Sequence, residues 1–139
     1  MDKKFLIAGV VAAVLAQALG FLVHSFLLGA DYAKLQSLFR PEAEMNSYMP
    51  YMLLANIVFG FALAWIYRQG KTPGVPALRQ GISYGLAVAA LVIVPMYLIY
   101  YTIQPMPGAL VAKQIVFDSI AMVLLGIVVA YLSRAPGEA

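Results

Sequence analysis

Four apolar runs, each close to the length of a membrane-spanning helix, constrain this chain more than any other feature. They cover Phe5–Ala30 and then residues of about 48–67, 81–104 and 115–132. An α-helix rises about 1.5 Å per residue, so roughly 20 apolar residues cross the ~30 Å hydrocarbon layer of a bilayer. Composition agrees, because 63% of the residues are hydrophobic and 11% charged, whereas soluble domains carry roughly a quarter charged residues. A transmembrane barrel needs short segments alternating apolar and polar, and that alternation is absent. The expected fold is an all-α integral membrane protein, a four-transmembrane-helix bundle forming one transmembrane domain over residues 1–139.

The first run needs separate scrutiny. "MDKK" followed by "FLIAGVVAAVLAQA" imitates a secretory signal ending in Ala-x-Ala at Ala18. The apolar stretch runs on for about twelve more residues, longer than a signal core, so the expectation is a retained helix. Orientation follows from the basic residues of the short flanks. Lys3, Lys4, Arg68, Lys71, Arg79 and Arg134 fall on one side; Lys34, Arg40 and Lys113 fall on the other, offset by Asp31, Glu42 and Glu44. The positive-inside rule then places both termini in the cytoplasm, in the inner membrane of a bacterial-type cell. The outer segment 31–47, "DYAKLQSLFRPEAEMNS", has Tyr32, Leu35, Leu38 and Phe39 at helical spacing, which predicts a short interfacial helix ended by Pro41. The inner connection "RQGKTPGVPALR" has the prolines and glycines of a loop.

Helices in lipid gain little from apolar contact, so close approach at small residues matters more. Small residues four apart recur in every run: Ala16 and Gly20, Gly60 and Ala64, Gly81 and Gly85, Gly126 and Ala130. Pro95 is expected to kink the third helix by removing a backbone donor. A shift of 66 residues aligns Ala55, Gly60, Ala64, Trp65 and Arg68 with Ala121, Gly126, Ala130, Tyr131 and Arg134. This pattern suits two parallel helical hairpins, and it equally suits two helices obeying the same packing rules. The first and third runs show no match at that shift.

Polar residues inside the apolar runs are few, and they mark any site. Gln17, His24 and Asp31 are seven apart and share one face of a regular helix. Uncompensated polar groups in hydrocarbon cost several kcal/mol, so this stripe is expected to turn inward. Asn56, Asp118 with Ser119, and Tyr97, Tyr101 and Gln104 lie at similar depth on the other helices. The candidate ligand-binding set is Gln17, His24, Asn56, Tyr97, Tyr101 and Asp118, converging on an outward-facing pocket. Asp118 is the only acid inside an apolar run. It either pairs with His24 or Lys113, or caps the start of the fourth helix. His24 either takes part in a ligand or proton site, or makes a single interhelical hydrogen bond.

Other chemistry is excluded or weakly signalled. Zero cysteines remove thiolate and disulfide chemistry, and one histidine builds neither a three-ligand zinc centre nor a His-Glu-x-x-His motif. No metal site and no cofactor is therefore implied. Met45, Met49, Met52, Met96 and Met106 are soft thioether donors for Cu(I), although methionine more often fills apolar gaps. The nine Lys and Arg are scattered singly at the ends of apolar runs, which argues against nucleic acid as a partner.

The stretches "VVAAVLAQALGFLVHSFLLGADYAKL" and "LVAKQIVFDSIAMVLLGIVVAYL" resemble an uncharacterised family of small bacterial four-span membrane proteins, a domain of unknown function. Its features are a glycine, an aromatic-rich helix end and a second glycine, here Gly20 and Gly29, and an aspartate entering a glycine-containing last helix, here Asp118 and Gly126. His24 departs from the pattern, where an aromatic is more typical. The resemblance implies the four-span architecture and no assigned activity. Two function classes follow from the residues. One is binding or transport of a small molecule or lipid through the polar pocket. The other is a structural or accessory subunit of a membrane complex. The expected partners are membrane lipid, a small-molecule ligand, and a homo-oligomer or membrane-complex subunit. An enzyme is the least supported class, since a lone His and Asp without a nucleophile or metal set is thin ground for catalysis.

Overall fold

Prolines punctuate this chain. The computed structural model describes residues 2–134, all of whose regular elements are helical. Pro41, Pro76 and Pro107 immediately precede the second, third and fourth long helices, each in the extended conformation that halts the preceding segment and leaves the next residue free to start a turn. The first helix begins differently, with the Asp2 carboxylate accepting the Lys4 amide at 3.0 Å as an N-cap.

The four long helices are Lys3–Leu27, Glu42–Gly70, Ala77–Ile103 and Gly108–Leu132. Even the two shortest, at 25 residues, reach about 37 Å. All four are long and apolar enough to cross a bilayer, and the chain is a multi-pass membrane protein. The second and fourth helices begin further out than their apolar runs. Glu42, Glu44 and Asn46 extend the second, and Lys113 and Gln114 lie within the fourth. Helical hydrogen bonding continues past the last apolar residue when polar side chains reach solvent. The segment after the first helix is helical in two short pieces, Gly29–Tyr32 and Ala33–Leu38, the second interrupted inside by Leu35, which leaves helical geometry. Pro41 starts the second helix instead of ending a single amphipathic one.

Backbone contact joins the helices in two pairs. A Cβ on Gly60 would sit 2.5 Å from the Ala13 nitrogen and 2.6 Å from the Gly9 oxygen, so the second helix lies directly on the first. A Cβ on Gly126 would sit 2.5 Å from the Gly81 oxygen, and one on Gly85 would sit 2.5 Å from the Val123 Cα, so the fourth helix lies as closely on the third. Gly60 and Gly126 are the residues related by the 66-residue shift. Their partners Gly9 and Gly81, and Ala13 and Gly85, are related by a shift of 72. The contact glycines of the first pair, Gly9 and Gly60, are thus six residues further apart in the chain than Gly81 and Gly126 of the second, which is why one shift does not align both helices. The pair Ala16 and Gly20 behaves differently from the other three: nothing lies within 4 Å of a Cβ built on Gly20.

The pairs meet along the first and fourth helices, around a core that includes Ala8, Ala12, Leu63, Ala64, Val129 and Ala130. Across the pairs, the Tyr84 hydroxyl donates to the Leu63 carbonyl at 2.6 Å, and the Tyr67 and Tyr84 rings meet edge on at 5.3 Å. The 71–76 connection is ordered by Gln80, whose side chain accepts from the Thr72 amide and donates to the carbonyls of Thr72 and Val75.

Two wide turns interrupt the α-helical ladder. Leu22–Leu27 in the first helix and Ala89–Ile93 in the third are π-helical, with the Leu28 amide reaching the Val23 carbonyl and the Val94 amide reaching the Ala89 carbonyl. The second turn ends directly before Pro95, which then sits in the first turn of the closing α-helical segment, where a missing amide costs least. The disturbance expected at Pro95 takes this form. The wide turn of the first helix falls in the half of the bundle that holds the polar residues, and that of the third lies at mid-helix.

Candidate functional site

Five polar side chains from four separate segments form one connected chain at the end of the bundle away from the termini. The Gln114 side-chain amide donates to the Tyr32 hydroxyl at 2.8 Å, which lies 2.8 Å from Nδ1 of His24. On the other side of the ring, Nε2 of His24 is 3.4 Å from Oδ2 of Asp118, and the same carboxylate oxygen accepts the Tyr97 hydroxyl. With the Gln114 amide donating to it, the Tyr32 hydroxyl has its own proton to direct at Nδ1 of His24, while Nε2 faces the carboxylate.

Local structure explains the convergence. Gln114 and Asp118 are four apart on the fourth helix, so they share a face. His24 lies inside the wide turn of the first helix, and Tyr97 comes one helical turn after the wide turn of the third. A π turn takes about one more residue than an α turn and so rotates the later residues about the helix axis. Tyr32 is placed by the short helix Gly29–Tyr32, which is fastened at the adjacent residue as well: Lys113 donates to Asp31 at 2.8 Å. Val23, Leu28 and Leu110 are buried beneath, with Tyr32, Leu35 and Phe117 packed on them.

Burial and charge differ along the chain. The Asp118 side chain is 13% exposed and that of His24 38%. Outside the spans, the ammonium of Lys113 hydrogen-bonded to Asp31 holds that carboxyl below its ordinary value, and burial pushes the Tyr32 hydroxyl above its own. Gln114 is 2% exposed, and its side-chain oxygen has no hydrogen-bond partner among the described residues. That oxygen is an open acceptor at the end of a hydrogen-bonded chain.

The six residues singled out in the sequence divide among three places. His24, Tyr97 and Asp118 come together. Gln17 and Asn56 form a different contact, with the Asn56 amide donating to the Gln17 oxygen at 2.6 Å and the Gln17 amide reaching the Met52 sulfur at 3.6 Å. Tyr101 packs elsewhere, its hydroxyl 3.3 Å from where a Cβ on Gly108 would lie. Asp118 is no cap, because its helix starts at Gly108, ten residues earlier. Two members of the chain lie outside the sequence-based set. Tyr32 reads there as part of an apolar stripe, and Gln114 precedes the apolar run. The four-residue spacing from Gln114 to Asp118 is the signal that points to it.

Among the described residues, no three His, Cys, Asp or Glu side chains gather as a metal-binding group. What the chain of five offers is hydrogen bonding, one carboxylate and one titratable ring. Comparison with curated proteins and with solved structures finds no match. The family described as "Protein of unknown function (DUF1761)" matches residues 7–130. With nearly the whole span region covered, this chain belongs to that family.

Proposed function

We propose that the protein binds a small polar or amphiphilic molecule at the chain Gln114–Tyr32–His24–Asp118–Tyr97, with a donor of the ligand meeting the Gln114 oxygen. The observation that carries this reading is that buried, unpartnered acceptor. An unsatisfied buried polar group costs on the order of 1–3 kcal/mol, which a bound donor would relieve. The neighbouring His24 side chain is 38% exposed against 13% for that of Asp118 and gives the site a side from which a molecule enters. The close backbone contacts at Gly60, Gly85 and Gly126 fill the other half of the bundle, which favours binding over passage of a substrate through it. In this reading the membrane is a bacterial inner membrane with both termini cytoplasmic, the Gly29–Leu38 segment lies at its outer interface, and the two hairpins are a parallel repeat.

Native mass spectrometry of the purified full chain tests this, with Gln114→Leu as the variant. A small molecule retained by the wild type and lost by a folded Gln114→Leu protein supports the reading. Absence of any bound species, together with a Gln114→Leu protein more stable than wild type, overturns it, because removing an unsatisfied amide then only removes a penalty.

A second reading, a structural or accessory subunit of a membrane complex or a homo-oligomer, is favoured by a different observation. The second helix is the least covered, with 17% of its apolar window buried against 28% in each of the others. Met45, Tyr48, Met49, Tyr51, Met52, Leu53 and Leu54 are exposed along its outer half. Membrane helices with such surfaces face lipid or another chain. The mass of the particle in native mass spectrometry separates these outcomes.

A further inference from the structure

Gln114 and Asp118 each leave one oxygen without a partner, one helical turn apart on the same face of the fourth helix. Oε1 of Gln114 is buried and accepts nothing among the described residues. Both contacts of the Asp118 carboxylate, the Tyr97 hydroxyl and Nε2 of His24, fall on Oδ2, so among the described residues Oδ1 accepts nothing either. Side chains four apart on a helix begin about 5–6 Å from each other at Cβ. A single nitrogen that donates to both oxygens at about 2.9 Å each bridges such a gap.

Charge points the same way. The Asp118 side chain is 13% exposed, and among the described residues no Lys or Arg pairs with it. Its ring neighbour His24 carries charge only when protonated. Lys113, next to Gln114 in sequence, is already committed to Asp31 at 2.8 Å. A carboxylate drawn out of water is costly without a cation, and a cation that also hydrogen-bonds offsets the cost. Meanwhile the Tyr97 hydroxyl donates to Asp118 and the Gln114 amide to Tyr32. The site therefore presents acceptors and negative charge to an incoming group. A primary ammonium supplies three N–H donors and one positive charge; a quaternary ammonium supplies the charge alone. Gln114 precedes the fourth apolar run, Asp118 lies three residues into it, and His24 is three residues from the end of the first long helix. Such positions lie where headgroups meet acyl chains.

We infer that this site holds a primary ammonium group between the Gln114 oxygen and the Asp118 carboxylate, presented by an aminophospholipid headgroup or by a free alkylamine. The inference rests on the binding reading given above and names the chemical class of its ligand.

The test uses the full chain in neutral detergent. Native mass spectrometry in an equimolar mixture of phosphatidylethanolamine and phosphatidylcholine compares a primary with a quaternary ammonium on one lipid frame. Thermal melting with n-butylammonium or tetramethylammonium chloride, at equal ionic strength, makes the same comparison for free ions. The wild type is expected to prefer the primary ammonium at least tenfold in one arm or both, because a site built for N–H donors rejects an analogue without them. Preference in the lipid arm alone assigns the group to a headgroup, and in the other alone to a soluble amine. Asp118→Asn keeps an acceptor oxygen and removes the charge, and it is expected to weaken binding of the preferred ion about tenfold, the difference between a charge-assisted and a neutral hydrogen bond. Gln114→Leu is expected to abolish the preference. A molecule held by the wild type and lost by Gln114→Leu, without any preference for primary over quaternary ammonium, overturns this inference and leaves the binding reading in place. A preference unchanged by Asp118→Asn also overturns it, and absence of all Gln114-dependent binding removes both. The wild-type comparison needs no variant, and circular dichroism of the variants separates loss of the site from loss of the fold.

Discussion

The two halves of this bundle are held by different physics. Toward the termini, Gly60, Gly81, Gly85 and Gly126 let backbones touch, and a single added carbon would sit 2.5 Å from a main-chain atom at each position. Away from the termini, the first helix carries a wide turn and the helices are linked through side chains: Gln114, Tyr32, His24, Asp118 and Tyr97 in one chain, Gln17 and Asn56 in another. Main-chain contact leaves nothing to adjust. A hydrogen bond between side chains tolerates rotation and exchange of partners, and one acceptor in this half is open. Rigidity and accessible chemistry are therefore separated along the membrane normal, which is where a binding reading gains its plausibility and a passage reading loses it.

The comparison breaks most visibly at a glycine. Gly126→Leu is expected to cost at least about 3 kcal/mol, at the upper end of overpacking effects because the obstacle is backbone, and to yield protein that does not melt cooperatively in detergent. Gly20→Ala is its control: with nothing near the added carbon, it is expected to leave the melting temperature unchanged or raised by up to about 1 kcal/mol of helix propensity. Similar losses for both would mean that the small-residue contacts do not distinguish the halves.

A smaller effect is expected at Asp118. Replacement by Leu removes the acceptor of Tyr97 and the carboxylate facing His24 and is expected to cost about 1–3 kcal/mol, while leaving a cooperative melt. Asp118→Asn, which keeps an acceptor oxygen, is expected to recover part of that loss. Smaller again is Gln17→Leu with Asn56→Leu, which removes both members of one interhelical bond and is expected to change stability by under about 1 kcal/mol, as such bonds in membranes average about 0.6. A double-mutant cycle measures the coupling directly.

The smallest effect concerns the tie between Asp31 and Lys113. The hydrogen bond from Lys113 depresses the folded-state value of the Asp31 carboxyl below its ordinary 3.8. When unfolded, the carboxyl therefore binds its proton at higher pH than in the native protein. Its contribution to stability is present above pH 3.8 and is lost as the pH falls through the lower folded value. The melting difference between wild type and Asp31→Asn is accordingly expected to shrink as the medium is acidified below 3.8. A difference that stays constant would remove any electrostatic role for this tie.

Much of the architecture was legible in the residues alone. Apolar length and the absence of alternation imply four helices, since a chain in hydrocarbon has to satisfy its backbone internally, residue by residue. Gly60, Gly81, Gly85 and Gly126 were readable as contacts, and His24 and Asp118 as the polar residues that required partners. Less was legible at the site. Gln17 and His24, seven apart, share a face only if the helix is regular between them, and the wide turn from Leu22 to Leu27 ends that regularity at His24. Gln17 accordingly meets Asn56 on the second helix, and His24 meets Asp118 on the fourth.

The amino-acid sequence by itself determined which segments enter the bilayer and which side chains cannot stay unpaired there, because both follow from local composition and the cost of dehydration. Only the tertiary structure decided which polar groups meet, since that depends on how far each helix is rotated about its axis. Rotation is set by glycine contacts and wide turns whose effect appears only when the neighbouring helix is in place.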